Sequence, residues 1–235
     1  MKIKKILVLV LALTSVFAFA LAEFDASKAI AVVSREEGSG TRGAFIELTG
    51  VMKKNADGQE VDHTYAEADF VNGTSLVMTT VAGNEYAVGY ASLSSVIHDD
   101  SVKAVKVGGV EASTENILNG TYPIARPFNV VTKGELTNRL AVDFFTFIMS
   151  LDGQAVVSED GLVSVSTDQT AAYVPAGLSG KLTVGGSTSV SPVMELLAEA
   201  YTLLNPDVQI DIQATGSSAG VTGVLDSTYD IGMAS

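Results

Sequence analysis

Cysteine and tryptophan are missing from the 235 residues, and histidine occurs only twice. Without cysteine there is no disulfide, no thiolate nucleophile and no lipid-bearing cysteine behind a leader, so an exported domain would be held by its core alone. His63 and His98 stand outside any motif; they are thin material for a general base or a metal site, and both are expected at the surface. Positive charge is scarce as well: 14 Lys and Arg face 27 Asp and Glu, a net charge of −13. Nucleic-acid binding, which needs clustered Lys and Arg, is excluded. So is long-range steering of an anion, which would have to be captured by local hydrogen bonds against the net field.

What the chain does have begins with a leader. Lys2, Lys4 and Lys5 precede an apolar run from Ile6 to Ala20, and Ala20-Leu21-Ala22 offers a small-residue cleavage site. Residues 1–22 are therefore expected to be a signal peptide. Its removal would take three lysines and move the net charge from −13 to −16. The protein is expected to be exported, to a periplasm or to the outer face of the cell membrane.

The stretch Arg35-Glu36-Glu37-Gly38-Ser39-Gly40-Thr41-Arg42-Gly43 follows the apolar run Ile30–Val33 and precedes Ala44–Leu48, which has helical spacing. A strand running into a Gly/Ser/Thr loop and then a helix makes an anion cradle, because the first helical N–H groups lack partners and carry partial positive charge. The helix is expected to end near Met52, followed by a polar turn over Lys53–Gly58. Gly73–Ala82 reads as a short helix capped by Thr74 or Ser75. Tyr86–Ala91 reads as a buried strand, and Val102–Val107, alternating apolar residues with Lys, as a half-buried one. Tyr122–Pro127, with two prolines, suits a crossing between lobes. Phe128–Val131 reads as a strand, Leu136–Leu151 as an amphipathic helix and Gly153–Ser158 as a second, short helix.

Two further strand–loop–helix units close the chain. Lys181–Val184 leads into Gly185-Gly186-Ser187-Thr188-Ser189-Val190-Ser191-Pro192 and a helix to Leu204. Val208–Ile212 leads into Thr215-Gly216-Ser217-Ser218-Ala219-Gly220 and another helix, and Tyr229–Ser235 begins a last strand and loop. Strands alternating with helices mean a mainly parallel α/β sheet. Three hydroxyl- and glycine-rich loops at strand ends suggest one shared site.

Two formal motif matches fall short. Gly38–Gly43 fits GxGxxG, but no strand ending in an acid follows about 20 residues later, so a dinucleotide fold is not supported. Gly216–Gly220 fits the GxSxG elbow, yet that fold places its histidine after the serine, and both histidines precede Ser218. Arg35 either forms a surface ion pair with Glu36 or Glu37, or it clamps an oxyanion with its planar fork. In the second case Glu37 is placed to hold the fork. Asp230 suits a structural carboxylate.

These segments resemble the phosphate-binding protein of the phosphate ABC transporter: Arg35–Arg42, Gly186–Pro192, Thr215–Gly220 and Asp230–Ser235, spread over nearly everything after the leader. The resemblance implies a two-lobe α/β receptor of the type II periplasmic-binding-protein fold that closes on one inorganic phosphate. It has no catalytic role, cofactor or metal, and it delivers to membrane permease subunits. By that resemblance Arg35, Ser39, Gly40 and Thr41 hold phosphate from one lobe, and Thr188, Ser189, Ser217 and Ser235 from the other. The lobes are expected over 23–122 and 123–235. The motif order is changed relative to the family, as in a circular permutation, and the first lobe is expected to be incomplete, as in a chain truncated at its end. The alternative is an exported oxyanion-binding or phosphate-sensing protein not coupled to transport, with sulfate as another candidate ligand.

Overall fold

The computed structural model describes residues 24–235, and the signal peptide expected over 1–22 lies outside them. Strand β1 (Ala31–Arg35) runs into α1 (Gly40–Leu48), then a hairpin of β2 (Met52–Lys54) and β3 (Glu60–Asp62), then β4 (Asp69–Val71), α2 (Thr74–Ala82) and β5 (Ala87–Val88). After the short helices α3 (Leu93–Ile97) and α4 (Thr114–Leu118) come β6 (Asn129–Val131), α5 (Arg139–Ile148) and α6 (Leu151–Glu159). The chain ends through β7 (Gly180–Gly186), α7 (Ser191–Leu204), β8 (Val208–Ala214), α8 (Ser217–Leu225) and β9 (Ile231–Ala234).

Beside the β2–β3 hairpin, the strands make two separate sheets, one parallel and one mixed. In the first, β1 lies between β4 and β5 and is parallel to both. In the second, the order is β6-β9-β7-β8, with β7 parallel to β8 and β9, and β6 antiparallel to β9. Leu182 and Val184 of β7 and Ile231 and Met233 of β9 are fully buried, packed beneath Phe144 and Phe147 of α5 and Met194, Leu197 and Tyr201 of α7. Each such side chain contributes about 1.5–3 kcal/mol by leaving water. The carboxyl ends of β1, β7 and β8 lead into the hydroxyl-rich loops, and that of β9 into Ser235. That is where parallel α/β sheets place ligands, since the helix amino ends open on the same side.

Several expectations are corrected. Helix α1 begins at Gly40, inside the motif, and stops at Leu48, because Gly50 at φ +69° turns the chain into the β2–β3 hairpin. The half-buried strand expected over Val102–Val107 does not form: Val105 is exposed, and the one bridge, Val107 to Val110, folds around Gly108 and Gly109 at positive φ. An alternating pattern describes a face, and here no strand lies alongside to use it. Tyr86–Ala91 supplies only the two-residue β5, with Val88 partly exposed; the chain then leaves the sheet so that the Tyr90 hydroxyl can meet Ser34 at 2.9 Å. Helix α2 is capped by the backbone of Gly73 at φ +82°, and neither Thr74 nor Ser75 caps it.

Candidate anion-binding site

Arg35 is the last residue of β1 and, at 1% exposure, among the largest fully buried side chains described. Burying a guanidinium without partners would cost several kcal/mol. Its partner is Glu36: Nε donates to Oε2 and Nη2 to Oε1, both at 2.8 Å. This two-point pairing fixes the plane of the fork and leaves its remaining N–H groups aimed elsewhere. Nη1 reaches Thr74 Oγ1 at 3.3 Å, and Nη2 also reaches Thr188 Oγ1 at 2.9 Å. The expected holder, Glu37, is exposed, so its role passes to Glu36. The amide of Gly73 also donates to Glu36 Oε2, at 3.2 Å. Burial pushes the Glu36 carboxyl up, but the hydrogen bond from Arg35, those from the Glu36 and Gly73 amides, and the charge of Arg35 outweigh it, leaving Glu36 below the usual carboxylate range.

The other motifs converge on the same point. Thr41 Oγ1 lies 2.8 Å from Ser189 Oγ and 3.1 Å from Ser235 Oγ, and Ser235 Oγ lies 2.8 Å from Ser187 Oγ. The Ser235 amide donates to Ser217 Oγ at 3.1 Å. Arg35, Thr41, Thr188, Ser189, Ser217 and Ser235 therefore share one hydrogen-bonded cluster, although up to 194 positions separate them in the chain. Ser39 is buried at the rim of that cluster, where its hydroxyl oxygen caps α1 by accepting from the Arg42 amide at 3.2 Å. Gly40 touches the opposite loop directly: a Cβ there would lie 2.5 Å from Ser217 Oγ. Two contributors were missed. Ser187 stood inside a quoted motif without a role, and Thr74 was read only as a cap.

Helix ends explain the local folding. Helices α4, α5 and α6, away from the cluster, have Ser113, Asn138 and Ser150 as side-chain caps. Of the helices that open toward it, α1 is capped by Ser39, while α2, α7 and α8 have no side-chain cap. In α2 and α8 a first amide reaches across to another loop: Thr74 N donates to Thr188 Oγ1, and Ser218 N to the Gly38 carbonyl at 3.1 Å. Asp230 anchors β9 to β7, its Oδ2 accepting from the Thr183 amide and hydroxyl, each at 2.8 Å. Neither histidine is hydrogen-bonded to Ser218 among the described residues: His63 is exposed and His98 Nε2 meets Asp160 at 3.0 Å. No triad is assembled.

Two small sheets, with strand ends aimed at one cluster of hydroxyls beside a buried arginine, define a receptor for a small anion. The sequence matches the family model described as PBP superfamily domain over residues 14–152 and 170–235. It is 50% identical over 211 residues to phosphate-binding protein PstS 2 of Streptococcus pneumoniae, which covers 90% of this chain and 71% of that protein. A crystal structure of a phosphate ABC transporter phosphate-binding protein from S. pneumoniae superposes with a TM-score of 0.66 at 50% identity, covering 88% of this chain and 79% of that one. A putative phosphate ABC transporter substrate-binding protein from Clostridium perfringens, solved with bound phosphate, gives 0.51 at 43% identity over 58% of this chain and 52% of that one. The chain belongs to the PBP superfamily and, within it, to the phosphate-binding PstS proteins.

Proposed function

We propose that this protein captures inorganic phosphate outside the cytoplasm and presents it to the permease subunits of an ABC importer, without catalysis. The observation that carries this reading is the buried Arg35, its fork fixed by Glu36 and its free N–H groups pointing at hydroxyls from the opposite sheet. Phosphate is bridged from two sides: Arg35, Ser39, Gly40 and Thr41 belong to a lobe over 23–122, and Thr188, Ser189, Ser217 and Ser235 to a lobe over 123–235. Closure of the two lobes is favoured by an anion that touches both. Because Glu36 offsets the charge of Arg35, the anion is held by aligned donors, as the net charge of −13 requires. Calorimetric titration of the protein with phosphate, and with sulfate in parallel, tests the reading. Saturable phosphate binding, with sulfate weaker, supports it. Absence of phosphate binding, or preference for sulfate, overturns it.

A further inference from the structure

Thr74 is placed by none of the motifs, yet it is 4% exposed and touches three members of the cluster. Its Oγ1 lies 3.3 Å from Arg35 Nη1, 3.1 Å from Thr188 Oγ1 and 3.0 Å from Ser189 Oγ. Counting lone pairs orients these hydroxyls, since each has one hydrogen and two acceptor sites. Thr188 Oγ1 accepts from Arg35 Nη2 and from the Thr74 amide, which fills both of its sites. Thr188 must therefore donate its own hydrogen, and Thr74 Oγ1 is the hydroxyl in reach. Thr74 Oγ1 then accepts from Arg35 Nη1 and from Thr188, so both of its sites are filled as well. Its hydrogen can go only toward Ser189. Arg35, which donates and never accepts, thus drives a directed chain from Thr188 through Thr74 to Ser189.

We propose that Thr74 is a further ligand of the bound anion, donating its hydroxyl hydrogen to an unprotonated oxygen on the Ser189 side of the cluster. The inference rests on the phosphate reading above and deepens it. Donation is the only role left to this hydroxyl while Arg35 stays in place, so the oxygen it meets must be an acceptor. The uncapped first turn of α2 sits behind it and favours negative charge at the same point. Among the described residues, Thr74 is also the one hydroxyl on the Arg35 side that contacts both Thr188 and Ser189, so losing it removes a bridge between the two sheets.

The test is phosphate titration of the full protein, wild type beside T74V, T74S and T74A, with melting of each in the absence of phosphate. T74V keeps the shape and removes the hydroxyl; T74S restores it. The expected result is a loss of affinity of roughly 10- to 100-fold in T74V, the usual effect of losing a hydrogen bond to a charged group. T74S is expected within about threefold of wild type, because its hydroxyl has the same donor capacity. Equal binding by T74V and wild type overturns the role of Thr74. So does a loss in T74S as large as that in T74V, which would point to the methyl group. If T74V fails to fold, T74A decides by the same criteria. Failure of the wild type to bind phosphate overturns the phosphate reading as well, which separates the two failures.

Discussion

A Cβ placed on Gly40 would lie 1.7 Å from the carbonyl oxygen of Ser235. Residue 40 opens α1 beside the first sheet and residue 235 follows β9 of the second, so this close approach measures how tightly the two halves meet. The sign of a substitution here reads the contact directly. Gly40→Ala in an isolated helix end is stabilising, by about 1 kcal/mol at most. In this arrangement it must push the halves apart. We expect Gly40→Ala to weaken phosphate binding by more than about 100-fold, because a closed site tolerates little misplacement. A melting temperature raised with binding intact would show that the contact is not made in solution.

Arg35→Ala is expected to reduce phosphate affinity by about 2–5 kcal/mol, the cost of removing one partner of a buried hydrogen-bonded charge pair. Arg35→Lys is expected to recover little of that loss, since one ammonium cannot meet Glu36 at two points and also reach Thr74 and Thr188. Calorimetry on the two variants checks both statements. Wild-type affinity in Arg35→Ala would remove Arg35 from the site.

Acid should uncouple the pair. The folded-state Glu36 carboxyl lies below its ordinary value, so its stabilising contribution is complete above the ordinary glutamate pKa of about 4.3 and is lost as pH falls through the lower folded value. Glu36→Gln cannot supply that charge at any pH. We expect it to be less stable than wild type at pH 7, with the gap closing as pH falls through and below the ordinary glutamate range. Urea unfolding of both proteins across that range measures the difference. A gap that stays constant would show that Glu36 does not act through its charge.

The alternation of strand and helix was legible because each strand ran into a glycine- and hydroxyl-rich loop, and those loops named most of the cluster. Glu36 and Glu37 could not be told apart by pattern. The choice depends on which carboxylate stays beside β1 as the chain turns away, and the Gly73 amide, 37 positions on, helps settle it for Glu36. Thr74 escaped for a related reason. A threonine ahead of an apolar run is a common cap, and only the approach of Thr188 from the opposite sheet gives it another partner. Val102–Val107 misled because alternation reports an amphipathic face without reporting whether a neighbouring strand exists to cover the other edge. What the sequence lacked in each case was the partner brought by tertiary structure.

The hydrogen bond between Thr41 and Ser235 spans 194 positions, and Arg35 to Thr188 spans 153. A site assembled from such distant points exists only when nearly the whole polypeptide is in place, so an unfolded chain has no affinity to offer. Mass action then makes the ligand a stabiliser: at one hundred times the dissociation constant it adds about 2.7 kcal/mol to the folded state. For a chain with no cysteine to cross-link it, endurance would follow the local abundance of the anion. Scarcity of that anion would leave the receptor empty and, by the same linkage, easier to unfold.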